Sequence, residues 1–328
     1  MAKFAAEIEG TIEAVSDAGN GDALMVVMGM SVLIKANAFA NHRVRTPTKN
    51  KTVDHAQLIK TNSLPGRKNV PANEGFKGGT AIVAGNFDDT IQQIVVEFDP
   101  TPVPGQIAAL ELHPSVEVGP PENVLLGPFT GNAATGVFSV NGVPVKRLGA
   151  DFPADDRLVG EPIQNEFGFD IVPGSIPPSA LVSVDGYLSD DVQVSGKFPF
   201  VGFNFVVDSP AATLTITNQR QVSITRASAR NDVTDYSLEL RGGITTPSNQ
   251  PFGATPTLLI FGFALNSTQS FPITAQETRM GPLVPGGFAT WRIRTTGNGS
   301  APERVVVRIS GVPGPIESGE EFVDVREG

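Results

Sequence analysis

The sequence predicts an all-β protein: two small antiparallel barrel-like domains followed by a β-sandwich. Three observations carry this. Apolar and polar residues alternate in many short runs, glycine (35) and proline (27) are frequent among the 328 residues, and charged residues make up only 18%. Alternation with period two describes strands buried on one face. Glycine and proline scattered between such runs act as turn punctuation, and the low charge argues against long solvated helices and against disorder. A chain of this length accommodates two or three domains.

In the first domain, residues 1–100, the run Glu7–Val15 places Ile8, Gly10, Ile12 and Ala14 on one face and Glu7, Glu9, Thr11 and Glu13 on the other. Asp17–Asp22 carries the Asn-Gly of a hairpin turn. The apolar run Leu24–Ile34 is broken by Gly29, where a bulge or bend is expected. A polar loop at 37–77 with one short helix at Val53–Lys60 precedes strands at Thr80–Ala84 and Ile91–Phe98.

The same order then recurs. Gly10, Gly29 and Gly85 correspond to Gly127, Gly142 and Gly186, and Phe98-Asp99-Pro100 corresponds to Val207-Asp208-Ser209-Pro210. Glycines within strands let a small barrel turn its corners. Residues 122–210 are therefore expected to form a second small barrel, joined to the first by a Pro/Gly-rich linker at 101–121. On these glycines and valines, the two segments resemble small OB-like β-barrel repeats of unknown function in bacterial secreted proteins, and the resemblance implies a fold type and no chemistry.

Residues 211–328 read as an immunoglobulin-like β-sandwich. Seven short strands are expected at Ala212–Thr217, Val222–Thr225, Tyr236–Leu240, Thr257–Leu265, Phe288–Thr295, Glu303–Ser310 and Glu321–Val325, with the sole tryptophan, Trp291, in the fifth.

Candidate chemistry is sparse. Without cysteine, thiolate catalysis, disulfides and zinc ribbons are excluded. A serine nucleophile would need a base among His42, His55 and His113, and no Gly-x-Ser-x-Gly elbow is present. Gly19-Asn-Gly21 and Gly196-Lys197 lack the following helix of a phosphate loop and read as turns. The carboxylates Asp88-Asp89, Asp151, Asp155-Asp156, Glu161 and Asp190-Asp191 read as loop solubility, with calcium as the alternative for the 151–161 group. In Phe198–Phe205 the alternation changes phase at Gly202, so a bulge is expected there and one phenylalanine pair faces either the core or another subunit. Asn266-Ser-Thr268 and Asn298-Gly-Ser300 match the glycosylation sequon.

The net charge of −10 argues against nucleic acid, which binds basic surfaces. The dense basic stretch His42–Lys68 reads as a solvated loop or as a contact to an acidic neighbouring subunit. No apolar run is long enough for a membrane helix, and the first ten residues hold no apolar signal-peptide core. The expected role is non-enzymatic, with no catalytic residue, no cofactor and the metal question open. The chain is expected to assemble with copies of itself or with a protein scaffold, as a virion component or a surface or filament subunit. The alternative is a secreted adhesin module that binds a glycan or a surface.

Overall fold

A computed structural model describes residues 3–48, 51–67, 75–98, 115–121, 123–191, 194, 196–209, 211–217, 219–231, 234–245, 257–264, 267–282, 287–310 and 316–327. The protein is all-β, with two barrel-like domains and a sandwich. It forms two compact units. The first contains both barrels, up to Glu161 and again Leu181–Phe205; the second contains Pro162–Ala180 and the chain from Val206 onward.

The first barrel is built from β1 (Lys3–Gly19), β2 (Asp22–Val27) and β3 (Met30–Ile34), followed by the helix α1 (Ala36–Ala40), the short strand β4 (Val44–Arg45) and the helix α2 (His55–Leu58). Then come β5 (Thr80–Asp88), β6 (Gln93–Val96) and β7 (Ser115–Gly119). The long strand β1 serves two neighbours. Its first half pairs with β5, Lys3↔Asp88 to Thr11↔Thr80, and its second half pairs with β2 after a register shift between Ile12 and Ala14. Such a bulge bends a strand and raises its twist. β3 runs parallel to β6, and β6 pairs with β5, so the circle β1-β2-β3-β6-β5-β1 closes. Closure leaves no free edge among these five strands. The strand β7, at the end of the Pro/Gly-rich stretch, adds to β5 and buries Val116 and Val118.

The second barrel repeats the plan. Its strands are β8 (Asn123–Asn132), β9 (Val137–Val140) and β10 (Val143–Arg147), then, after β11 (Ile163–Asn165) of the second unit, β12 (Leu181–Leu188) and β13 (Phe200–Asp208). β10 runs parallel to β13, and the circle β8-β9-β10-β13-β12-β8 closes as before. The registers also agree. Glu7↔Ala84, Glu9↔Ile82 and Gly10↔Ala81 correspond to Val124↔Asp185, Leu126↔Ser183 and Gly127↔Val182. The bulge or bend within a continuous strand expected at Gly29, and at its counterpart Gly142, is not what the structure has. Each ends a two-residue hairpin turn, Met28-Gly29 (φ 47° and 78°) and Asn141-Gly142 (φ 49° and 73°). Two successive left-handed residues match the strand twist of a hairpin, and glycine takes the second place without steric cost.

Gly85 and Gly186 let neighbouring backbones close the barrels. A Cβ on Gly85 would lie 2.7 Å from the Val95 carbonyl oxygen and 2.9 Å from Ile94 Cγ2. On Gly186 it would overlap the Val201 carbonyl oxygen and lie 2.8 Å from Phe200 Cε1. Gly186→Ala is expected to destabilise the first unit by about 1–3 kcal/mol, the usual range for overpacking. The midpoint of urea unfolding followed by far-UV circular dichroism measures this, and an unchanged midpoint would show that β13 can move away without loss.

The two barrels share a core that includes Ile12, Val32, Val83, Leu148, Leu158, Tyr187 and Phe203. The 53–67 segment joins them. Asp54 and Gln57 cap α2 reciprocally, the Gln57 amide N–H donating to Asp54 Oδ1 at 2.8 Å. Gln57 Nε2 donates to the Asp156 carbonyl at 3.0 Å, and Lys60 Nζ to Asp156 Oδ1 at 2.7 Å. Tyr187 and Ser189 donate to the carbonyls of Pro65 and Gly66. The basic stretch is therefore not the solvated loop expected. Arg43 is buried, and Val53, Leu58, Leu64 and Phe76 anchor the polar loop in the core. These apolar anchors are too widely spaced to show a period in the sequence.

In the second unit, β14 (Gln221–Val222), β15 (Arg226–Asn231), β16 (Asp235–Thr245) and β17 (Thr257–Phe263) are followed by β18 (Ser270–Ile273), β19 (Glu277–Met280) and β20 (Phe288–Asn298). The chain ends with β21 (Arg304–Ser310), β22 (Ile316–Glu317), β23 (Glu321–Phe322) and β24 (Asp324–Glu327). One sheet has the order β19-β20-β16-β15-β24, with β14 also on β16; the other has β18-β17-β21-β22, with β23 also on β21. Inward side chains of both sheets, among them Leu238, Leu240, Ile260, Trp291, Ile293, Val305 and Val307, form one core. Ala212–Thr217 is not a strand, and only Leu214 bridges, to Ile171. By contrast β15 has only the small Ala227 and Ala229 at its inward positions, and β18 and β19 are four residues each, so their pattern is weak in the sequence. Phe167 stacks on Phe288 with centroids 5.0 Å apart, and Asn165 Oδ1 accepts the amide N–H groups of Phe167 and Phe169.

Candidate interaction surfaces

The residues singled out for chemistry do not converge. Arg147 holds Asp151 through Nε at 2.7 Å and Nη2 at 2.9 Å. Burial pushes the Asp151 carboxyl up, but these bonds outweigh it and hold the carboxyl below its ordinary range. Asp155 is bound by Arg157, and Asp156, held by the Lys60 bond, is likewise lowered. Asp88, Glu161, Asp190 and Asp191 also have partners, and Asp89 accepts from Thr90. Among the described residues, no three His, Asp or Glu side chains gather as a metal set. His55 lies edge-on to Phe39 and bonds the Asp22 carbonyl through Nε2, His42 takes a left-handed backbone (φ 55°), and His113 lies outside the described residues. Gly19-Asn20-Gly21 is the β1–β2 turn.

Of the Phe198–Phe205 group, Phe200, Phe203 and Phe205 are buried, and only Phe198 is partly exposed. No phenylalanine pair faces outward. A side chain at Gly202 would overlap Val184 and Phe205, and the register with β10 runs through Phe200, Val201 and Gly202 without a shift.

Two outer faces stand out instead. The first differs between the sister barrels. On β1 of the first barrel, Glu7, Glu9 and Glu13 are exposed, and none has an ion-pair partner among the described residues. At the equivalent places of the second barrel, β8 presents Val124 (63% exposed), Leu126 (62%) and Thr130, with Pro128 between them and Leu181 opposite Pro128 on β12. The barrel architecture requires neither chemistry on its outside, since the same register carries carboxylates in one copy and aliphatic groups in the other. Contiguous exposed apolar groups mark interaction sites.

The second face is the outside of the sandwich sheet. Strand register aligns Arg226↔Arg241, Arg241↔Arg292 and Arg292↔Arg279, a row of four arginines across four strands. The adjacent row holds Asp324, Ser228, Glu239, Arg294 and Glu277, and the next holds Arg230, Ser237 and Thr296. Glu239 accepts from Arg241 at 2.7 Å, from Arg294 at 2.9 Å and from Arg292. Burial pushes its carboxyl up, and the bonds from Arg294 and Arg241 bring it below its ordinary range. Arg279 donates to Glu277 at 2.5 Å. Arg226 and Arg230 make no ion pair among the described residues. The alternation of Arg292 with Arg294 is legible in the sequence, but the row is not, because it exists only through cross-strand register. No family model matches the chain, and no curated protein matches it.

Proposed function

We propose that this chain is a non-enzymatic structural protein that assembles with copies of itself or decorates a larger assembly, in the first place as a virion component and in the second as a surface or filament subunit. The observation that carries the reading is the exposed aliphatic strip Val124, Leu126, Pro128 and Leu181. Water contact with such a strip is unfavourable, and covering it with a second surface stabilises by about 25 cal/mol per Å² of apolar area removed from water. We read the two barrels as OB-like on their strand order, first, second, third, fifth, fourth with the third parallel to the fifth. We read the sandwich as immunoglobulin-like on its two sheets, β19-β20-β16-β15-β24 and β18-β17-β21-β22. Both architectures serve as rigid carriers for surface chemistry, and fold alone assigns no function.

Light scattering of the untagged protein over a concentration series tests the reading. A defined oligomer or a growing filament is expected. Leu126→Asp is expected to weaken association at least about tenfold, because a buried leucine contributes on the order of 1.5–3 kcal/mol and 1.4 kcal/mol is a factor of ten. A strict monomer at high concentration would remove self-assembly and favour the ligand-binding adhesin module instead.

A further inference from the structure

We propose that the arginine face of the sandwich docks onto the glutamate face of the first barrel of another copy, making a head-to-tail contact. The inference rests on the assembly reading above and names the surfaces that meet. Within the three rows described, six arginines (226, 230, 241, 279, 292 and 294) face three carboxylates (Glu239, Glu277 and Asp324). The excess is positive in a chain whose net charge is −10. Like charges directly opposite one another on neighbouring strands destabilise a sheet. Glu239 relieves three of the arginines, yet Arg226 and Arg230 have no ion-pair partner among the described residues. A carboxylate surface laid over these rows would neutralise the remainder.

The chain carries such a surface. Glu7, Glu9 and Glu13 stand on the outward side of β1 without ion-pair partners among the described residues. Successive outward residues of a strand lie about 6.6–6.8 Å apart, at roughly 3.3–3.4 Å of rise per residue, and neighbouring strands about 4.8 Å apart. The two faces are thus of opposite sign, and Glu7 and Glu9 carry their charges at a spacing like that of the arginine rows, while Glu13 follows at the bulge of β1. The second barrel, with Val124, Leu126 and Thr130 at the matching positions, shows that the fold itself does not require acidic groups there. Electrostatic complementarity of this kind sets orientation and partner choice. A contact between two different surfaces of one chain is heterologous. Repeated, it closes into a ring or runs on as a filament.

Paired charge reversal on the full chain is the test. One variant carries Glu7→Arg, Glu9→Arg and Glu13→Arg; the other carries Arg226→Glu, Arg241→Glu and Arg279→Glu, leaving Arg292 and Arg294 to hold Glu239. Circular dichroism first verifies the fold of each. Light scattering is expected to show association weakened about a hundredfold or more in either variant alone, since its two docking faces then repel. An equimolar mixture is expected to assemble again, because each reversed face finds its opposite on the other variant. Raising salt from about 50 to 500 mM is expected to weaken wild-type association, as screening shortens the range of charge interactions.

The other outcomes overturn the proposal in distinguishable ways. Assembly that survives both reversals and high salt, yet fails in Leu126→Asp, sinks the charged contact and leaves the assembly reading standing. A wild type that stays monomeric at low salt sinks both. Loss of assembly in the arginine variant alone assigns that face to some other carboxylate surface. If heparin, used as a polyanion probe, binds the wild type but not the arginine variant and neither reversal alters association, the face belongs to a polyanion instead.

Discussion

Arg157→Ala is expected to destabilise the two-barrel unit by about 3–5 kcal/mol, the range for removing one partner of a buried ion pair. Arg157 is wholly buried, with 0% of its surface exposed. Its Nε and Nη2 bind the two oxygens of Asp155 at 2.9 and 2.8 Å, while Nη1 donates to the Asn62 carbonyl at 2.8 Å and Nη2 to the Ser63 carbonyl at 3.3 Å. The guanidinium also lies 5.8 Å from the centroid of Phe76. Truncation would leave the Asp155 charge unpaired at low exposure and would release the carbonyls of the segment that links the barrels. Lysine cannot substitute, because an ammonium lacks the planar fork that serves a carboxylate and two carbonyls together. Urea unfolding followed by far-UV circular dichroism measures the loss, and hydrogen exchange at residues 53–67 locates it. A midpoint like that of the wild type, with unchanged exchange in this segment, would refute the role assigned to Arg157.

The second large effect lies in the sandwich. Trp291 is 2% exposed, and its Nε1 donates to the Gly243 carbonyl at 2.9 Å. The indole lies against Gly242, where a Cβ would come within 2.7 Å of Trp291 Cε2. A glycine under the ring is what lets so large a side chain pack against the sheet. Trp291→Ala is expected to cost about 3–5 kcal/mol through the cavity it leaves, and Trp291→Phe less. As the chain holds one tryptophan, its fluorescence reports this site alone. Emission of the folded protein is expected to be blue-shifted and to move red on unfolding. Red emission before any denaturant is added would contradict the burial described.

The glycine correspondence shows how much of the barrels was legible. Gly10, Gly29 and Gly85 with Gly127, Gly142 and Gly186 could be matched because each position has a steric reason to exclude a side chain or to favour positive φ. Two of the six sit in hairpin turns and not in bent strands, a distinction that depends on Met28 and Asn141 also being left-handed. The interaction faces were less legible. Glu7, Glu9 and Glu13 can be placed on one side of a strand from period two alone, but their contrast with Val124 and Leu126 has meaning only once the two barrels are aligned.

Local patterning by itself determined the all-β class, the places where glycine is needed and which face of the stronger strands is buried. These follow from side-chain alternation and backbone sterics, which act over a few residues. Tertiary structure alone decided that a basic, polar loop would bury Arg157 between two barrels and that arginines from four separate strands would share one row. Cross-strand neighbours are set by register, and a slip of one residue would turn every side chain of a strand to the other face.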